Sequence, residues 1–205
     1  MTFEELGLRE EVLKSLTELG FEAPTPIQEQ AIPHLMKDED CDFVGLAQTG
    51  TGKTAAFGLP LISNINLKST LPQGLIICPT RELCLQITRD LETFSKYLKC
   101  NVVSVYGGAD IRRQMTQIKK GVSIIVATPG RLVDLINRKV VKLSDVKTVI
   151  LDEADEMLNM GFKEDIDAVL ETTPDTKSVW LFSATMPKDV ARIAKNYMTD
   201  PLEVS

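Results

Sequence analysis

Residues 148–151 read Thr-Val-Ile-Leu, an apolar and β-branched run without polar alternation, which is the pattern of a strand buried on both faces of a parallel sheet. Similar short runs recur at residues 42–46, 74–78, 102–105, 123–127 and 178–182, with amphipathic stretches between them. In one stretch Leu83, Ile87, Leu91, Phe94 and Leu98 follow a helical period, and Pro187 opens another helix. Parallel neighbours require crossover connections, usually helices, so the alternation predicts an α/β chain with a doubly wound, mostly parallel sheet and helices on both faces. Residues 68–73 read as a flexible surface loop and Asp200-Pro201 as the exit from the final helix.

Asp152-Glu153-Ala154-Asp155 follows the 148–151 run directly, which places acids at the carboxyl end of a strand, where open α/β sheets bind ligands. Two readings fit. Asp152 can hold Mg²⁺ through its bound waters while Glu153 orients and deprotonates an attacking water, or the acids form a first helical turn favoured by the helix dipole. The segment Ala47-Gln48-Thr49-Gly50-Thr51-Gly52-Lys53-Thr54 decides for the first. It follows the strand at 42–46 and precedes the helical Ala55-Ala56-Phe57-Gly58-Leu59, the context a phosphate-binding loop requires. Gly50 and Gly52 let backbone amides turn around phosphate oxygens, Lys53 supplies charge to the β and γ phosphates, and Thr54 offers a hydroxyl to Mg²⁺. Ala47 replaces the first glycine of the general pattern, a minor departure.

With 205 residues and 43% apolar side chains, the chain suits one compact domain spanning 1–205. A net charge of −6 argues against coating nucleic acid through a global positive field and leaves only local basic patches for such a partner. Residues 1–20 are too charged for a signal core and no apolar run reaches membrane-spanning length, so a cytoplasmic protein without membrane contact is expected. Cys41, Cys78, Cys84 and Cys100 lack metal-ligand spacing and read as reduced core thiols; His34 reads as structural. Met157, Leu158 and Met160 read as core, and the basic stretch Arg112, Arg113, Lys119 and Lys120 as a solvated helix face and not an RNA site.

The strand ends carry unusual loops: Pro79-Thr80-Arg81-Glu82-Leu83, Gly107-Gly108, Thr128-Pro129-Gly130-Arg131 and Ser183-Ala184-Thr185. Parallel strands bring all four to one rim with the phosphate loop and the acids. Together with Gly20-Phe21-Glu22-Ala23-Pro24-Thr25-Pro26-Ile27-Gln28, they resemble the DEAD-box ATP-dependent RNA helicases of bacterial type, in the family's order and over nearly the whole chain. The resemblance implies a RecA-like P-loop NTPase domain with residues 1–29 as its Q-motif region.

It further implies that Gln28 reads the adenine edge, that Phe21 packs near the ring, and that Phe3 is the isolated upstream aromatic of that motif; the residues alone equally allow a helix start with Pro24, Pro26 and a core Ile27, and a buried end-tether at Phe3. Pro79, Thr80, Arg81, Gly108, Thr128, Pro129 and Arg131 match the family's RNA contacts, which read backbone and not bases. The bland alternative for Arg81 and Arg131 is an internal salt bridge. The helix starting near Gly130 is, in the family, a wedge that bends one strand. Ser183 and Thr185 match the motif that couples hydrolysis to strand separation, through hydrogen bonds to Asp155; a turn or helix cap explains them as well. Cys84 stands where the family often has alanine.

The family's helicase core has two similar domains, and this chain matches the first. The resemblance therefore implies ATP and Mg²⁺ as cofactors, RNA and a second RecA-like domain as partners, and an isolated, monomeric domain that binds nucleotide without unwinding. Two alternatives stay open. One is an ATP-gated RNA clamp or scaffold; the other is a metabolic P-loop kinase or transferase, which leaves the rim loops unexplained.

Overall fold

The protein's computed structural model describes residues 1–37 and 40–205. A 3₁₀ turn at Phe3–Leu6 leads to α1 (Glu10–Glu18) and α2 (Pro26–Lys37), then β1 (Phe43–Leu46), α3 (Lys53–Asn64), β2 (Gly74–Ile77), α4 (Arg81–Phe94) and β3 (Val102–Val105). The alternation continues through α5 (Ile111–Lys119), β4 (Ile124–Ala127), α6 (Pro129–Asn137), β5 (Thr148–Leu151), α7 (Ala154–Asn159) and α8 (Lys163–Thr172). It closes with β6 (Ser178–Ser183), α9 (Lys188–Tyr197) and β7 (Leu202–Val204). Among the described residues, seven strands form one sheet in the order β3-β4-β2-β5-β6-β1-β7, and every neighbouring pair is parallel. This is the RecA-like α/β architecture expected from the sequence, with no antiparallel member.

The absence of polar alternation in the strands has its physical reason in two cores. Successive strand residues point to opposite faces: Ile76, Ile150 and Trp180 join a core under α1 to α4, while Leu75, Val149 and Leu181 join one under α5 to α9. All six are at most 1% exposed, and burying each contributes about 1.5–3 kcal/mol before ordering costs. The Trp180 indole satisfies its one donor on the Cys41 carbonyl at 3.1 Å.

Asp200-Pro201 lies in the exit from α9, as expected, and leads into β7, which pairs with β1; that strand is not expected from the sequence, since its three residues are too few for a periodic signal and two of them are exposed. Two expectations need correction. The 68–73 segment is pinned, because buried Gln73 bonds Asn66 through both its amide oxygen and nitrogen. Met157 is fully buried, whereas Met160 is 47% exposed, since the six-residue α7 ends before it. Because all strands are parallel, the loops after β1, β2, β3, β4, β5 and β6 share one rim.

Candidate active site

The loop from β1 to α3 turns through left-handed backbone at Gly50 (φ +84) and Gly52 (φ +90), a region open to glycine at little cost. It delivers Lys53 as the first residue of α3, only 5% exposed. The Lys53 ammonium lies 2.8 Å from Glu153 Oε1 and 3.8 Å from Asp152 Oδ1, joining the two sequence motifs in one buried cluster. Thr49 Oγ1 also donates to Glu153 Oε1, at 3.1 Å. Glu153 occupies left-handed backbone (φ 54, ψ 50), which costs a non-glycine residue about 1–2 kcal/mol. Its contacts to Lys53 and Thr49 hold it there.

Asp152 is 2% exposed, and its Oδ1 accepts from the Glu153 N–H at 3.0 Å. Burial pushes its carboxyl up to about 6; Lys53 opposes that rise and Glu153 adds to it. It is thus a buried acid short of countercharge, facing the phosphate loop. Among the described residues no three His, Cys, Asp or Glu side chains gather into a metal-binding group, so a cation here would draw its other ligands from phosphates, water and Thr54.

A cleft of ≈ 470 Å³ opens beside this cluster, within the usual range for small-molecule sites. Thr49, Gly50, Gly52, Lys53, Thr54, Asp152 and Glu153 line it, as do Leu19, Phe21 and Gln28. Ala47, Gln48 and Thr51 are outside its lining; Thr51 Oγ1 braces the loop on the Gln48 carbonyl at 2.7 Å, and the Ala47 N–H on Ser183 O at 3.0 Å. The far wall is α4, through Leu83, Gln86, Asp90, Thr93 and Phe94. Sequence reasoning missed this wall, because periodicity identifies the buried stripe of a helix and not what its flank faces.

Gln28 is 3% exposed and bonded on both sides: its Oε1 accepts from Thr25 N–H at 2.9 Å, and its Nε2 donates to Gly52 O at 3.1 Å. The first bond is half of a capping box at the start of α2, where Thr25 precedes Pro26; the second ties α2 to the phosphate loop. One amide hydrogen and one lone pair remain for another partner. Phe21 meets Phe94 edge-on at 6.0 Å and Phe3 at 5.9 Å. Phe3 itself is buried and outside the cleft, so it supports Phe21 from behind.

The coupling residues are also brought together. Thr185 donates to Asp155 Oδ2 from its hydroxyl at 2.7 Å and its N–H at 3.1 Å, and Asp155 N–H donates to Ser183 Oγ at 3.2 Å. Burial pushes the Asp155 carboxyl up, but these hydroxyls outweigh it and hold the group below its ordinary value.

The proposed RNA contacts divide by exposure. Arg81 and Gly108 are exposed, Thr80, Thr128 and Arg131 half-buried, and Pro79 and Pro129 buried, where they shape their turns. Thr80 caps α4 by accepting from Leu83 N–H at 3.2 Å, and Gly108 takes φ +80. Arg131 donates to Ala109 O and to Gln114 Oε1, at 3.2 and 3.0 Å. Arg81 stacks 5.0 Å over the Tyr106 ring. These partners are neutral, so among the described residues both guanidinium charges stay unbalanced and the internal salt-bridge alternative is not realised.

A family model described as DEAD/DEAH box helicase matches residues 25–193, from Thr25 through both acids to Ile193. The chain belongs to the DEAD/DEAH box helicase family. It is 51% identical over 203 residues to a DEAD-box ATP-dependent RNA helicase CshA of Bacillus cereus, covering 99% of this chain and 38% of that one. It is 48% identical over 204 residues to the CshA helicase of Bacillus subtilis, covering 100% and 41%. A crystal structure of a DEAD box protein from the hyperthermophile Methanococcus jannaschii superposes with a TM-score of 0.95 at 41% identity, over 99% of this chain and 55% of that one. The chain spans about two fifths of the length of the curated DEAD-box relatives it matches. No helix among the described residues is long and apolar enough to cross a membrane.

Proposed function

We propose that this chain is the ATP- and RNA-binding first domain of a cytoplasmic ATP-dependent RNA helicase, the activity named for its CshA relatives. One observation carries the reading: a lysine at the base of a glycine-turned loop is buried against two acids from a strand end 100 residues away. Glu153 neutralises Lys53. Arriving phosphates compete for that ammonium with stronger negative charge, which frees Glu153 to take the proton of an attacking water. Asp152 and Thr54 would hold Mg²⁺, which neutralises phosphate charge when bound. Gln28 keeps a donor and an acceptor for the adenine edge, with Phe21 beside the ring.

Arg81, Arg131 and the backbone of the Thr80, Gly108 and Thr128 turns grip RNA phosphates without reading bases. A second RecA-like domain closes over ATP and RNA, bends one strand and so separates short duplexes; its arginines supply about 10³–10⁵ in rate. The monomeric domain alone binds nucleotide and does not unwind. Titration calorimetry tests the core of this: Lys53→Ala loses ATP binding, whereas Glu153→Gln retains it and, joined to the second domain, loses RNA-stimulated hydrolysis. Full ATP affinity in Lys53→Ala overturns the reading.

A further inference from the structure

The basic face of α5 is unexplained by packing. Arg112, Arg113, Lys119 and Lys120 are all exposed and, among the described residues, none forms an ion pair. Most other lysines and arginines among the described residues also lack an ion pair, although on α6 Arg138 meets Asp134 at 2.8 Å; what sets the α5 face apart is its clustering of like charge. Lys119 and Lys120 suit the negative end of the helix dipole, but Arg112 and Arg113 lie in the first turn, at the positive end, where a cation is disfavoured. The helix contains no acid of its own, and its N-cap Asp110 is occupied with the Arg112 N–H at 2.9 Å. In a chain of net charge −6, four exposed cations within the nine residues 112–120 suit an anionic partner.

Position specifies that partner. α5 starts directly after Gly108 on the rim, and its buried Gln114 takes the Arg131 guanidinium at 3.0 Å while donating to Tyr106 O at 3.1 Å. At the other end, Lys119 and Lys120 join Lys142 around a cleft of ≈ 380 Å³. The cations therefore mark both ends of α5 along the β3 edge of the sheet, one pair near the rim loops and one beyond the uncharged residues 114–118, over the ~13 Å that nine helical residues span.

We infer that the α5 face is an accessory RNA tract, which holds the phosphate backbone of the strand after it leaves the rim loops. This rests on the proposed RNA contact at the rim. Cations on flexible stems fit a polyphosphate chain and give no base preference, and the Tyr106 ring that shares a cleft with Arg113 is already stacked on by Arg81. The sequence alone shows a solvated basic stretch; what it does not show is the physical link from Gln114 to Arg131.

Fluorescence anisotropy with oligouridylates of about 6 and about 20 nucleotides tests the tract. The variant Arg112→Gln/Arg113→Gln/Lys119→Gln/Lys120→Gln, with circular dichroism confirming its fold, is expected to bind the long oligomer at least tenfold more weakly. Its slope of log affinity against log salt falls by about 3, at roughly 0.7 per single-strand phosphate contact. The short oligomer binds as before. Arg131→Ala, by contrast, weakens both lengths. If Arg131→Ala weakens both and the α5 variant changes neither, or weakens both equally, the tract is overturned and the rim reading stands. If neither variant affects either oligomer, or the unaltered chain binds neither, the rim reading itself fails and the tract with it. A loss restricted to an acidic peptide competitor would assign the face to a protein partner and overturn the tract.

Discussion

Thr185 makes the proposed coupling cluster around Asp155 testable one atom at a time. Its hydroxyl lies 2.7 Å from Asp155 Oδ2, and with Ser183 it holds the Asp155 carboxyl below its ordinary 3.8 against the opposing effect of burial. A carboxylate depressed in the folded state adds stability above its unfolded value, and that stability is lost as pH falls through the folded value. Thr185→Val keeps the shape and deletes the donor. Asp155 is then expected to titrate at higher pH by carboxyl NMR. The stability gap between variant and parent, open at neutral pH, should close only as pH falls through the parent's folded value, which lies below 3.8, where Asp155 is protonated in both states. An unmoved titration would leave Ser183 and the N–H groups of Glu156 and Thr185 as its support.

At the scale of elements, Gln28 clamps the start of α2 to the phosphate loop, and glycine is required on the other side of that clamp. A Cβ at Gly52 would sit 2.5 Å from Gln28 Nε2 in backbone at φ +90, whereas at Gly50, φ +84, it would meet nothing within 4 Å. Gly50→Ala should therefore cost about 1 kcal/mol of backbone strain. Gly52→Ala should cost about 2–4 kcal/mol and weaken ATP binding as well, because Gln28 must move. Equal urea midpoints for the two variants would show that the clamp carries no load. The elements legible in the sequence were those whose signal is local: the buried strands, the glycine loop, and the acids at the end of β5. The rest is tertiary. The clamp joins residues 24 apart, the α4 wall faces the cleft by packing, and β7 is recognisable only once β1 offers it an edge.

For the whole molecule, the buried thiols offer a readout of the proposed nucleotide binding. Cys78 and Cys84 are fully buried below the rim loops, with Sγ donors on the carbonyls of Ala127 and Val126. The neighbouring Cys84 thiol, together with burial, pushes the Cys78 thiol well above its ordinary range, so alkylation requires opening of the sheet. Half-buried Cys100, raised to about 11 by burial, is also slow in the folded chain. A ligand that binds only the folded state stabilises it by about 2.7 kcal/mol at one hundred times its dissociation constant. Where opening is in rapid equilibrium, ATP with Mg²⁺ at that concentration should slow iodoacetamide labelling of Cys78 and Cys84 by about 100-fold. Lys53→Ala should keep both thiols protected without nucleotide and lose the further protection that ATP adds. Equal ATP protection in that variant would mean that the nucleotide stabilises the sheet from somewhere other than the cleft beside Lys53.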